Sequence, residues 1–120
     1  MTRSHQLGQA GEQAAAAYLS RLGYEILEMN VRLGRGELDI IARSPSGEIV
    51  FAEVKTRSRP GYPELAVTPD KQQRMISAAS TWLDGRPEHA GTACRFDVLA
   101  LNRKNSGFSC RHLEDAFWAE

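Results

Sequence analysis

The sequence predicts an α/β domain built on a mixed central sheet flanked by helices. Three observations carry this. Short segments rich in Val, Ile, Phe and Tyr alternate with two stripes of helical period. The first three strand-like segments are joined by short, turn-rich connections, as in an antiparallel meander. A helix-length segment then separates the third strand from the fourth, which makes those two parallel through a right-handed crossover. The predicted order is α-β-β-β-α-β-β, in one domain over residues 1–120.

The first helix spans Ser4–Leu22, with Leu7, Ala10, Ala14, Ala17 and Tyr18 at helical spacing and Gly23 as its stop. Tyr24–Val31 is a strand, Leu33–Gly36 a turn, and Glu37–Arg43 a second strand. Ser44-Pro45-Ser46-Gly47 is turn chemistry, and Glu48–Lys55 is the third strand. Arg57–Val67, with Pro60, Gly61 and Pro63, is the one long irregular stretch, a place where function often resides. Thr68 caps a second helix, Pro69 suits its first turn, and Met75, Ile76, Ala79, Trp82 and Leu83 form its apolar stripe. Gly85 and Pro87 end it. Thr92–Leu101 and Phe108–Leu113 are the last strands, and the acidic tail Glu114–Glu120 docks through Phe117 and Trp118.

Composition narrows the function classes. The chain is 42% hydrophobic and 25% charged, which places it among globular proteins. Fifteen basic and fifteen acidic residues balance to zero net charge, which excludes coating nucleic acid by bulk charge but leaves room for a local basic groove. No apolar run approaches the roughly 20 residues of a membrane helix. The polar, Ala-rich stretch after Met1 lacks a secretory apolar core. Cys94 and Cys110 make neither a disulfide framework nor a zinc site. They read as buried free thiols on neighbouring strands of a soluble, cytoplasmic protein.

The chemistry-bearing residues are Asp39, Glu53 and Lys55. Glu53 and Lys55 leave one face of the third strand together with Ile49 and Phe51, while Val50, Ala52 and Val54 take the other. A strand apolar on both sides is central, and an acid and a lysine at its end are costly unless paired or bound. A hairpin centred on Ser46 sets Asp39 opposite Glu53, with Cβ atoms roughly 5 Å apart, provided the loop is odd in length or bulged. Two adjacent carboxylates repel, and a hard divalent cation relieves them, magnesium or manganese before zinc. The Val54 carbonyl is a further oxygen ligand. Lys55 would orient water or stabilise charge on a phosphate. Glu12, in line with Ala15, Ala16 and Leu19, reaches over the sheet towards the same point, and Glu37 shares the Asp39 face. The plainer alternative is a set of surface ion pairs worth little.

The string Asn30-Val31-Arg32-Leu33-Gly34-Arg35-Gly36-Glu37-Leu38-Asp39-Ile40-Ile41-Ala42, followed by Val50-Phe51-Ala52-Glu53-Val54-Lys55-Thr56-Arg57, resembles the YraN family of bacterial proteins. Gly11-Glu12, Gly23-Tyr24-Glu25-Ile26-Leu27 and Arg95-Phe96-Asp97-Val98 support it, so that the resemblance spans nearly the whole chain. That family is similar to the PD-(D/E)XK nuclease superfamily and, within it, to archaeal Holliday junction resolvases. The resemblance implies a restriction-endonuclease-like αβββαβ core and a Mg2+- or Mn2+-dependent DNA endonuclease acting on branched DNA as a homodimer. Asp39 and Glu53 match the metal-binding acids, Lys55 the lysine, and Glu12 the helix glutamate of the resolvase branch. Leu38 stands where the motif's name has proline, a variable position. The alternative is a nucleic-acid- or partner-binding module that keeps the fold with little activity.

Arg32, Arg35, Arg57, Arg59 and Lys71 are the expected nucleic-acid contacts, a basic rim beside the carboxylates. Gln72 and Gln73, beside Lys71, are helix surface or DNA contacts, and Tyr62 either stacks on a base or pins its loop. His5, His89 and His112 share no ligand pattern.

Overall fold

The computed structural model describes residues 3–119, with side chains for residues 5–119. Met1, Thr2 and Glu120, the ends of the polar lead and of the acidic tail, lie outside the described residues. The elements are α1 (Arg3–Arg21), β1 (Glu25–Leu33), β2 (Gly36–Arg43), β3 (Ile49–Arg57), α2 (Pro69–Asp84), β4 (Cys94–Lys104) and β5 (Gly107–Phe117). One five-stranded sheet runs β1-β2-β3-β4-β5, antiparallel except for the parallel β3–β4 pair. This is the α/β architecture and order that the hydrophobic periods predict.

Local chemistry explains the boundaries. Gly23, with φ 91°, ends α1 in the left-handed region, and the Tyr24 N–H returns to the Leu19 carbonyl at 3.0 Å. At the start of α2, Thr68 accepts from the Lys71 N–H at 3.2 Å and Pro69 fills the first turn, where a missing N–H is harmless.

The sheet is covered on both faces. On one side α2 packs Met75, Ala78, Ala79 and Trp82 on Leu38, Ile41, Ile49, Phe51, Phe96 and Phe117. On the other, α1 packs Ala15 and Leu19 on Ile40, Ala42, Val50, Ala52, Leu99 and Leu101. Ile49 and Phe51 thus face α2 while Val50 and Ala52 face α1, so β3 is the central strand that its two-sided apolar pattern requires.

Three expectations are corrected. The last strand does not stop at Leu113. It continues to Phe117, with Asp115 at φ 55° beside a register shift opposite Phe96 and Val98. The tail therefore docks through Phe117, which stacks on Phe96 with centroids 4.9 Å apart, while Trp118 is exposed. Cys94 and Cys110 are free and sit on adjacent strands, but Cys94 is exposed rather than buried, because it opens β4 at the sheet's end.

Candidate functional site

The β2–β3 hairpin has the register that an Asp39–Glu53 alignment needs. Ile40↔Ala52, Ile41↔Phe51, Ala42↔Val50 and Arg43↔Ile49 are partners, closing an odd-length loop over residues 44–48. The ladder ends at Ile40↔Ala52, one position short of Asp39 and Glu53. Alternation in β2 breaks there too, since Leu38 and Ile40 are two apart yet enter opposite cores. Asp39 Oδ2 instead accepts the Val54 N–H at 2.8 Å. The two strands fork, and the fork is where Asp39 and Glu53 meet.

A cleft of about 470 Å³ opens at this fork, lined by Glu12, Glu37, Asp39, Glu53, Val54, Lys55 and Lys71 and by the loop residues Ala66 and Val67 before Thr68. Glu12 comes from α1, Lys71 from α2, and the others from the strands and loop, so the cleft straddles the sheet. Two glycines let the helices close on it. Gly11 lies so near Thr56 of β3, and Gly36 so near the Arg74 carbonyl of α2, that a side chain at either would collide. Glu12 and Glu37 are carried into place by these close approaches.

The cleft is rich in negative charge. Burial, a hydrogen bond with Glu53 and the Glu53 charge push the Asp39 carboxyl up to about 8, against a weaker pull from the Val54 N–H. Glu12 is raised as well, first by burial, with Glu37 and Glu53 adding repulsion and a hydrogen bond with Asn30 opposing it. Lys71 answers some of that charge, its Nζ lying 2.6 Å from Glu53 Oε2. Burial alone would lower the Lys71 ammonium, but the Glu53 contact and the Asp39 and Glu37 charges hold it above its ordinary value. Lys55 donates to the Ala66 carbonyl instead, and with Gln72, which donates to the Val67 carbonyl at 2.9 Å, it pins the loop's end.

Asp39, Glu53 and Glu12 line the cleft with oxygen donors, the kind that a hard divalent cation takes. Glu37 touches Arg32 at 3.5 Å across the rim.

The basic residues divide. Arg32, Arg35 and Lys71 join Arg74 around a second recess of about 560 Å³ that adjoins the cleft through Glu37 and Lys71. Arg57 and Arg59 are exposed at and beyond the end of β3, and neither is among the residues lining the two recesses. Tyr62 lies under the Arg111 guanidinium, 4.8 Å from its ring centroid, so the loop is pinned to β5. Asn102, with its amide nitrogen turned to the loop, donates to the Arg59 and Gly61 carbonyls at 2.7 and 2.9 Å.

Sequence reasoning missed a second polar cluster. Asp97 is fully buried and receives Arg95 Nε and Nη2 at 2.9 Å each, His112 Nε2 at 2.7 Å and the Asp115 N–H at 3.0 Å. Arg95 also binds Glu48 at 2.8 Å, the Tyr24 hydroxyl at 2.7 Å and Glu114 at 3.1 Å. The ligand atoms of Asp97, His112 and Glu114 lie within 4.8 Å of one another, near enough to hold a metal ion. Arg95, however, already supplies the positive charge there. A buried Asp two residues from an Arg on an otherwise apolar strand was the available signal, but the His112 partner depends on the β4–β5 register.

Fold and cleft together define an α/β domain that gathers carboxylates at the fork of a mixed, five-stranded sheet. The chain belongs to the family described as "Uncharacterised protein family UPF0102", the YraN family, whose model matches residues 11–101. That stretch holds Glu12, Asp39, Glu53, Lys55, Lys71 and Asp97. The chain is similar to the UPF0102 protein of Pelobacter propionicus, 46% identical over 114 residues, covering 92% of this chain and 81% of the relative. It is similar to that of Syntrophus aciditrophicus, 45% identical over 119 residues, covering 98% and 92%. Among solved structures it is similar to Pyrococcus furiosus SfsA in complex with Ca2+, with a TM-score of 0.37 and 19% identity. That likeness covers 92% of this chain but only 63% of SfsA. No described helix is long and apolar enough to cross a membrane.

Proposed function

We propose that the domain is a cytoplasmic, Mg2+- or Mn2+-dependent DNA endonuclease that cuts branched DNA. The observation that carries this is the convergence of Asp39, Glu53, Glu12 and Lys55, from three elements, on one cleft. Asp39, Glu53 and the Val54 carbonyl would hold the ion, with Glu12 supporting from α1. When bound, the metal supplies Lewis acidity to a phosphodiester and to water. Lys55, released from the Ala66 carbonyl, would hydrogen-bond the attacking water or a non-bridging phosphate oxygen. Arg32, Arg35 and Arg74 would position the flanking backbone, and Arg57 and Arg59 would meet a more distant part of the DNA. Paired cuts in a four-way junction call for a twofold dimer.

The test is cleavage of linear, flapped, forked and four-way DNAs with Mg2+ or Mn2+. Cutting should cease with EDTA and in Asp39→Ala, and light scattering should show a dimer. Cleavage that persists in Asp39→Ala would place the chemistry elsewhere.

A second reading, a binding module of low activity, draws on Lys55 being tied to the Ala66 carbonyl rather than to the acids. Tight binding of branched DNA without cutting under any of the metals would favour it.

A further inference from the structure

The acidic cleft and the basic recess share two side chains, Glu37 and Lys71, and Lys71 is the one cation among the lining residues of both. Its ammonium is on Glu53, whose side chain is only 6% exposed, whereas that of Lys71 is 44% exposed. The backbone of Lys71 is fixed, because its N–H is held by the Thr68 cap in the first turn of α2. The side chain above it is a four-carbon stem with a mobile, strongly hydrated head. Glu53 is thus a buried acid whose partner is half in solvent and free to swing about a fixed root.

We propose that Lys71 is an exchangeable counter-cation. It occupies Glu53 while the cleft is metal-free, yields Glu53 to a divalent cation, and turns to the basic recess to meet a phosphate beside Arg32, Arg35 and Arg74. This rests on the metal-site reading of the cleft. An ammonium and a dication cannot share one buried carboxylate without strong repulsion, so their occupancies exclude each other. Metal affinity is then reduced by the fraction of molecules in which Lys71 holds the site. The same exchange adds one positive charge to the recess when the metal arrives, so metal and DNA backbone reinforce each other's binding. Lys55 cannot play this part, since it lines the acidic cleft alone and its ammonium is on Ala66.

The test is Mn2+ binding to the full chain without DNA, followed by electron paramagnetic resonance. Asp39→Asn identifies the fraction bound in the cleft. Lys71→Met, which keeps the length and removes the charge, should bind Mn2+ about tenfold more tightly than the wild type, and Lys71→Arg should bind no more tightly than the wild type. Equal or weaker binding by Lys71→Met, with Mn2+ bound in the wild-type cleft, overturns the exchange and leaves the metal site standing. Absence of cleft-bound Mn2+ from both proteins overturns both. A second measurement needs no variant. Acetylation of the wild-type lysines by acetic anhydride, read by mass spectrometry, should quicken at Lys71 on adding Mn2+ while Lys104 stays constant, and an unchanged Lys71 rate overturns the proposal.

Discussion

Asp39 and Asp97 are both buried aspartates on strands of the same sheet, and their surroundings push their carboxyls in opposite directions. Asp39 rises to about 8, because burial is joined by the Glu53 carboxylate and answered by little more than one N–H. Burial alone would raise Asp97 as well, but His112, Arg95 and the Asp115 N–H outweigh it and hold the carboxyl below its ordinary value. Arg95 is raised in return, chiefly by its hydrogen bond to Asp97. Burial is common to both, and the partners decide. A buried acid with its charge answered is a structural clasp, here joining β4, β5 and Tyr24. A buried acid left short of positive charge is the pattern that functional sites share.

The largest contrast lies in activity. Asp39→Asn should lower metal-dependent cleavage by about a thousandfold or more, the several kcal/mol a metal supplies to a transition state, and leave the fold intact. Asp97→Asn should do the reverse. It takes from Arg95 its one fully buried counter-charge and leaves it the partly exposed Glu48 and Glu114, and should lower the urea-derived stability by about 1–3 kcal/mol, the cost of charged hydrogen bonds lost in the interior. If Asp97→Asn is as stable as the wild type, the clasp is not structural and the comparison fails.

The pH dependence of stability sharpens the same contrast. In the metal-free protein the folded state holds the Asp39 proton more tightly than the unfolded chain does. Asp39 therefore lowers stability as pH climbs from its ordinary 3.8 towards about 8. Asp39→Asn should flatten that slope and be the more stable protein at pH 8. Asp97 acts in another window. Its contribution is present above its ordinary value of 3.8 and is lost as pH falls through its lower, folded value. Urea midpoints from pH 3 to 8.5 on the wild type and both variants would separate the two, and identical slopes in wild type and Asp39→Asn would refute the Asp39 assignment.

The two regions also differ in how far they could be read before the coordinates. The Asp39–Glu53 pair at the heart of the cleft was legible because the two lie on consecutive strands joined by a short turn, and period-two alternation with a loop centred on Ser46 aligns them. What could not be read was the fork. The ladder stops at Ile40↔Ala52, and Asp39 turns to the Val54 N–H. Such a departure from pairing is tertiary, and it lies where α1 and α2 come close to the sheet, at Gly11 and Gly36. Lys71 was visible as a basic residue at a helix start, but its partner was not, since Glu53 meets it across a long loop and a helix cap. The clasp was hidden for a similar reason. His112, paired with Leu99, reaches Asp97 through the β4–β5 register, and Asp115 does so where β5 shifts register and runs on to Phe117, and neither has a period in the sequence.

Close packing beside the cleft offers a smaller effect. Gly11→Ala places a methyl against Thr56 and should destabilise by about 1–3 kcal/mol, the usual penalty of overpacking. It should also reduce cleavage, because Glu12 rides on the displaced turn of α1. Gly8→Ala, with open space around it, is the control: it should leave cleavage unchanged and raise stability by about 0.5–1 kcal/mol, since alanine suits a helix interior better than glycine.

The smallest expected effect concerns the recess next to the cleft. Arg32 is tied to Glu37 at 3.5 Å and Arg74 to Asp70 at 3.3 Å, whereas Arg35 lines the recess from the exposed β1–β2 turn. If the recess seats backbone phosphate, Arg35→Ala should weaken branched-DNA binding in Ca2+ evenly across sequences and reduce the slope of log affinity against log salt by about one. Arg111→Ala, on the far strand beside Tyr62, should leave the slope unchanged. An unchanged slope in Arg35→Ala would mean that the DNA takes another path past the cleft. The carboxylate cleft would stand after that result, because Asp39 and Glu53 are placed by the fork and not by the rim.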